Sequence, residues 1–232
     1  VATWTAFVLT PVAGPGTDFK ALGVTEPGQT FSGLWAHWNM NANFAASFDQ
    51  WFLNLFPRET PFVFNNGGYQ TLNFIPALIT MILGLMAGEN LRSEKTPGEK
   101  LNWLLKAGGL CLVLALVTGT TLCPVIKRLW TPSWALYSGA VVLWAFALFY
   151  WFIDIKGRKA WTFPLVVVGM NSIAIYVAYQ LTAGWIRSVG KTWLGNDLFT
   201  GTYGALASSL LVLGVLWTFC WWLWKRKVFI RI

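Results

Sequence analysis

The chain has 232 residues, of which 56% are hydrophobic, 17% aromatic and 11% charged, with a mean hydropathy of +0.53 and a net charge of +8. Soluble domains carry roughly 25% charged residues, so this chain cannot cover a water-facing surface. That excludes a soluble enzyme, a disordered tail, a disulfide-stapled secreted module and a coiled coil, and the positive charge reads as loop lysine and arginine of a membrane protein, not a nucleic-acid footprint.

In chain order, residues 1–9 form an apolar run stopped at Thr10-Pro11. A span needs about 20 apolar residues, so this run reads as the tail of a transmembrane helix that starts upstream, and the chain as a fragment. Residues 14–71 hold no membrane-length apolar run, and Gly14-Pro15-Gly16 and Glu26-Pro27-Gly28 mark turns in them. Within this stretch Phe44, Phe48, Trp51, Phe52 and Leu55 recur at helical spacing, predicting an aromatic amphipathic helix over 43–55 that lies at the membrane interface. Five full spans are then predicted at 72–91, 101–122, 133–153, 163–185 and 203–224. They must be helices, because the alternating ten-residue runs of a barrel are missing from the sequence. The expected fold is all-α and polytopic, one transmembrane domain over 1–232. It comprises a truncated span at 1–13, an extracytoplasmic loop at 14–71 and a five-helix bundle at 72–232.

Charge placement orients the spans. Arg92, Lys95, Lys100, Lys106, Lys156, Arg158, Lys159, Lys225, Arg226, Lys227 and Arg231 fall on one side in short segments. Lys20, Arg58, Lys127, Arg128, Arg187 and Lys191 fall on the other, over longer loops. The positive-inside rule makes the first side, and with it the C-terminus, cytoplasmic.

Polar groups at membrane depth are costly and mark candidate sites. Gly169, Ser172, Tyr176, Tyr179 and Gln180 form a stripe on the predicted span 163–185, with Asn171 at its edge, either lining a cavity or hydrogen-bonding to other helices. Ala77, Thr80, Gly84 and Gly88 form a small-residue stripe on the span at 72–91, read as a close-packing face, and Pro76 is expected to kink that helix. His37 is the one histidine, and with no carboxylate beside it in the sequence it reads as structural. Cys111, Cys123 and Cys220 have no metal spacing, and no metal is expected. Phosphate-loop, dinucleotide and nucleophile-elbow motifs are missing from the sequence.

Three segments, in order, carry a resemblance. They are Gly67-Gly68-Tyr69-Gln70-Thr71-Leu72-Asn73 running through Pro76-Ala77 to Gly84 and Gly88; Pro124-Val125-Ile126-Lys127-Arg128-Leu129-Trp130-Thr131-Pro132-Ser133-Trp134; and Gly169-Met170-Asn171-Ser172-Ile173-Ala174-Ile175-Tyr176-Val177. With the ending Trp224-Lys225-Arg226-Lys227-Val228-Phe229-Ile230-Arg231-Ile232, the chain resembles the C-terminal half of the bacterial branch of the heparan-alpha-glucosaminide N-acetyltransferase family. The resemblance implies a bacterial inner-membrane acyltransferase that moves an acetyl group from acetyl-CoA to an extracytoplasmic amino sugar. It also implies an essential histidine in an early loop that this chain does not contain, so that role does not pass to His37. Asn73, Lys127, Trp130, Asn171 and Ser172 match the family motifs and become pocket candidates, and Tyr176 joins them as a hydroxyl donor. Tyr179-Gln180 stand where some members carry a His-Glu pair. The expected partners are membrane lipid, acetyl-CoA and a sugar acceptor, with a second copy or another membrane subunit beside them and no nucleic acid. The alternatives are a non-catalytic subunit of a larger membrane complex and, more weakly, half of a transporter.

Overall fold

A computed structural model describes residues 2–11, 13–14, 16–24 and 30–230. The expected turn at Glu26-Pro27-Gly28, and Pro15 of the turn before it, lie outside the described residues. Every regular element among the described residues is helical. The chain divides into two compact units, Val1–Lys156 and Gly157–Ile232.

The first unit opens with α1 (Ala2–Leu9) and α2 (Phe44–Leu53). Asn43 caps α2 by accepting from the Ala46 N–H at 3.1 Å, which places the helix start where the sequence predicts it. Asparagine side chains organise much of the stretch from Phe31 to Thr71. Asn39 accepts from the Phe31 N–H at 2.6 Å and donates to the Phe31 carbonyl at 3.1 Å, a pairing that stands in for a strand partner. Asn54 does the same with Phe62, at 2.7 and 3.0 Å. The buried carboxylate of Asp49 accepts the Thr71 N–H at 3.0 Å, fixing where the next helix begins.

Three long helices follow: α3 (Phe74–Arg92), α4 (Pro97–Thr121) and α5 (Pro132–Tyr150), the last continued by a π-helical turn over Trp151–Ile155. α4 starts four residues before the predicted span. Thr96 and Glu99 form a capping box and Pro97 occupies the first turn, signals that an apolar-run estimate ignores. Leu104, Cys111, Ala140 and Leu143 build the core between α4 and α5. Gly108 lets the helices close: a Cβ there would stand 2.5 Å from the Trp144 ring, whose Nε1 donates to the Leu105 carbonyl at 3.2 Å.

Two expectations for α3 are corrected. Pro76 lies in its first turn, where the missing N–H breaks no helical bond, so it starts the helix instead of kinking it. The Gly84 and Gly88 stripe is not the close-packing face, because a Cβ at either would meet nothing within 4 Å. α3 packs through Leu83 and Ala87, and Leu83 sits against Gly139 of α5. A large residue on α3 thus fills the notch left by a small one on α5.

The second unit comprises α6 (Phe163–Gly169), α7 (Ser172–Leu194) and α8 (Gly204–Lys225). The span expected at 163–185 is not one continuous helix. It breaks at Met170-Asn171, and the two pieces are bent by 67°. α7 and α8 pack through Ala183, Ile186, Val212 and Leu216, with Leu211 seated over Gly190. Trp217 Nε1 donates to the Pro164 carbonyl at 3.2 Å, tying α8 to the start of α6.

Four helical segments are long and apolar enough to cross a membrane: Thr71–Arg92, Pro97–Thr121, Pro132–Ile155 and Gly204–Lys225. The bent pair α6–α7 makes up to five if it counts as one span. These segments mark an integral membrane protein.

Candidate functional site

The six residues singled out from the sequence divide equally between the units: Asn73, Lys127 and Trp130 in the first, Asn171, Ser172 and Tyr176 in the second.

In the first unit the segment between α4 and α5 is a loop tied by its own side chains. The Thr131 hydroxyl accepts the Ile126 N–H at 3.1 Å and contacts the Pro124 carbonyl at 2.9 Å and the Ser133 hydroxyl at 3.1 Å. Ser133 Oγ lies 3.0 Å from both the Cys123 and Pro124 carbonyls. Both hydroxyls are buried, so the loop's turn is held by side chains where helical bonds have ended. The sequence reading passed over them, although Thr131-Pro132 is a helix-start signature; Thr131 is the cap of α5.

This loop presents Lys127, Arg128 and Trp130. Trp130 has φ +49°, a left-handed conformation that a bulky residue adopts only when its surroundings impose it. Its Nε1 donates to the Thr80 hydroxyl at 3.3 Å, joining the loop to α3. Asn73 donates from Nδ2 to the Arg128 carbonyl at 2.6 Å, so two of the three resembling segments meet directly. Asn73 and Thr131 also line a small cavity of about 50 Å³ with Phe7, Trp38 and Leu129. Lys127 and Arg128 border a larger recess of about 360 Å³ whose other walls include Phe31, Trp38 and Met40. Among the described residues no carboxylate lines that recess, whose lysine and arginine favour an anionic or hydrogen-bond-accepting guest.

In the second unit Asn171 occupies the break between α6 and α7 and is fully buried. Its Oδ1 accepts the Ile230 N–H at 3.0 Å, which pins the segment after α8 to the break, while its Nδ2 has no partner among the described residues. Ser172, Tyr176 and Tyr179 line a groove of about 520 Å³ against α8, with Arg187 at one end. Arg187 Nη2 stands 3.5 Å from the Tyr179 hydroxyl. The stripe expected from the sequence is therefore divided: Gly169 belongs to α6, Asn171 is sealed in the break, Gln180 is exposed beside the groove, and the others form its polar wall. Arg187 entered the sequence reading only as a charge.

His37 Nδ1 lies 2.9 Å from the Thr10 carbonyl oxygen, so this bond is made by the tautomer with its proton on Nδ1. This contact ties the ring to the end of α1. Among the described residues no histidine, aspartate or glutamate lines the Asn73 cavity or the Tyr176 groove. Among the described residues no group of three His, Cys, Asp or Glu side chains stands close enough to hold a metal. What the two sets offer is hydrogen-bond donors: the Trp130 region with its cationic neighbours, and the Ser172 and Tyr176 hydroxyls. No protein-family model matches the chain, and no curated protein matches it.

Proposed function

We propose that the chain is the C-terminal portion of a membrane acyltransferase that moves an acetyl group from acetyl-CoA to an extracytoplasmic amino sugar or a related acceptor. The reading places five full spans and a truncated one in a bacterial inner membrane, with the C-terminus in the cytoplasm. The observation that carries it is the bond from Asn73 to the Arg128 carbonyl. It unites two segments, 55 residues apart, that resemble the acetyltransferase family, and does so at the wall of a cavity. Acyl transfer needs donors for a developing oxyanion and a base for the attacking group. Ser172 and Tyr176 supply donors, whereas the base belongs to the early loop that the resemblance puts upstream.

The test is acetyl transfer by the complete gene product reconstituted in vesicles, with radiolabelled acetyl-CoA on one side and amino-sugar acceptors on the other. The expected result is acetyl-CoA-dependent label on the acceptor, reduced by Lys127→Ala with membrane insertion unchanged. Absence of acetyl-CoA binding by calorimetry, together with stable co-purification of another membrane protein, refutes the enzyme and supports a non-catalytic subunit.

A further inference from the structure

The groove between α7 and α8 carries a cationic side chain, Arg187, with no ion pair among the described residues. Residues 157–232 contain eight basic side chains and one acidic one, Asp197. Arg187, half-buried, makes no ion pair among the described residues. Its one side-chain hydrogen-bond partner among them is the Tyr179 hydroxyl at 3.5 Å, the outer limit of a hydrogen bond. A guanidinium has five N–H donors in a planar fork suited to two oxygens of one phosphate, and nearly all of that capacity is unused.

Besides Arg187, Ser172, Tyr176, Tyr179 and Ser209, the groove is lined by apolar side chains. Ile175 of α7 and Val212, Leu213 and Leu216 of α8 form its floor and far wall. Ser209 does not compete for a ligand, because its hydroxyl donates to the Ala205 carbonyl of its own helix at 2.9 Å. Along α7 the lining runs from Ser172 to Arg187, about 22 Å at 1.5 Å per residue. That exceeds the hydrocarbon depth of one leaflet, about 15 Å or half of the apolar core. Arg187 itself lies about 10 Å before the end of α7.

We propose that this groove binds one anionic phospholipid, its phosphate on Arg187 and Tyr179 and one acyl chain along Ile175, Val212, Leu213 and Leu216. The charge complementarity selects an anionic head, and the long apolar floor selects a chain-bearing ligand over a free anion. Ser172 and Tyr176 share the groove, so a lipid here also borders candidate residues of the acyltransferase reading. Lipid binding itself needs no acetyl transfer.

The test uses the complete protein in nanodiscs of phosphatidylcholine doped with phosphatidylglycerol, followed by extraction and native mass spectrometry to count retained lipid. Wild type is expected to retain one phosphatidylglycerol in preference to phosphatidylcholine. Arg187→Gln lowers that retention about tenfold, the scale of one charge-assisted hydrogen bond. Lys191→Gln removes an equal charge one turn further along α7, outside the groove lining, and leaves retention unchanged. Leu213→Trp fills the apolar floor from an exposed position and lowers retention with Arg187 intact. Retention by Arg187→Gln equal to wild type overturns the proposal, as does an equal loss in Lys191→Gln. Full retention by Leu213→Trp, with inorganic phosphate displacing the lipid, overturns it in favour of a free-anion site. Because the readout is bound lipid, either result leaves the acyltransferase reading to its own assay.

Discussion

Replacing Thr131 by valine tests whether one hydroxyl holds the loop that presents Lys127 and Trp130. The side chain is buried and keeps nearly its shape in the variant. What disappears is the acceptor for the Ile126 N–H, the cap on the Trp134 N–H at 3.4 Å, and the contacts to Pro124 and Ser133. A buried N–H left without a partner costs about 1–3 kcal/mol, and a lost helix cap about 1 kcal/mol. The two overlap on one hydroxyl, so the expected loss is about 2–3 kcal/mol. For a chain of this size each kcal/mol is worth about 2–4 °C, which places the fall in Tm at about 4–12 °C. Tryptophan fluorescence during thermal unfolding in detergent reads it directly. Thr131→Ser retains the hydroxyl and is expected to recover most of the loss. If Thr131→Val melts with wild type, or Thr131→Ser falls as far as valine, the hydroxyl does not organise this loop.

Other substitutions probe the remaining elements. Leu104→Ala empties a fully buried site between α4 and α5 and is expected to cost about 2–5 kcal/mol in the same melt, whereas a change below 1 kcal/mol would mean that the helices re-close around it. Gly204→Ala puts a Cβ 2.4 Å from the Phe199 carbonyl oxygen and should cost about 1–3 kcal/mol, while Gly214→Ala meets nothing within 4 Å and should be neutral or slightly stabilising; equal melting of the two would remove the contact as the reason. Asn43→Ala removes the α2 cap, for a loss of about 1 kcal/mol read by denaturant titration. Asn171→Ala releases the Ile230 N–H, so trypsin should cut faster at Lys225–Lys227; unchanged digestion kinetics would show that the bond does not hold the segment after α8.

Much of the candidate site was legible as chemistry but not as geometry. Asn73 and Trp130 stood out through the motifs that carry the resemblance, yet their partners, the Arg128 carbonyl and the Thr80 hydroxyl, lie 55 and 50 residues away in sequence. Asn171 announced itself as an amide at membrane depth. Nothing in its neighbours foretold that it would sit at a 67° break and bond Ile230. Arg187 looked like one more loop charge, because a charge count cannot say which cations lack a carboxylate within reach.

Local physics explains what the sequence determined by itself. Apolar runs of about 20 residues set the helical class and the membrane-length segments, since a backbone in lipid must satisfy its own hydrogen bonds. Asn43 and Thr96 set helix starts, because a cap acts within three residues of itself. Tertiary structure decided which face each helix buries. In lipid-compatible helices every side is apolar, so amphipathicity no longer points to the core, and the choice falls to steric fit: Leu83 against Gly139, Trp144 against Gly108, Leu211 against Gly190. It likewise decided the path of the stretch from Phe31 to Thr71, where asparagine side chains take backbone partners eight residues away, and the groove in which α7 and α8 leave Arg187 without a counter-charge among the described residues.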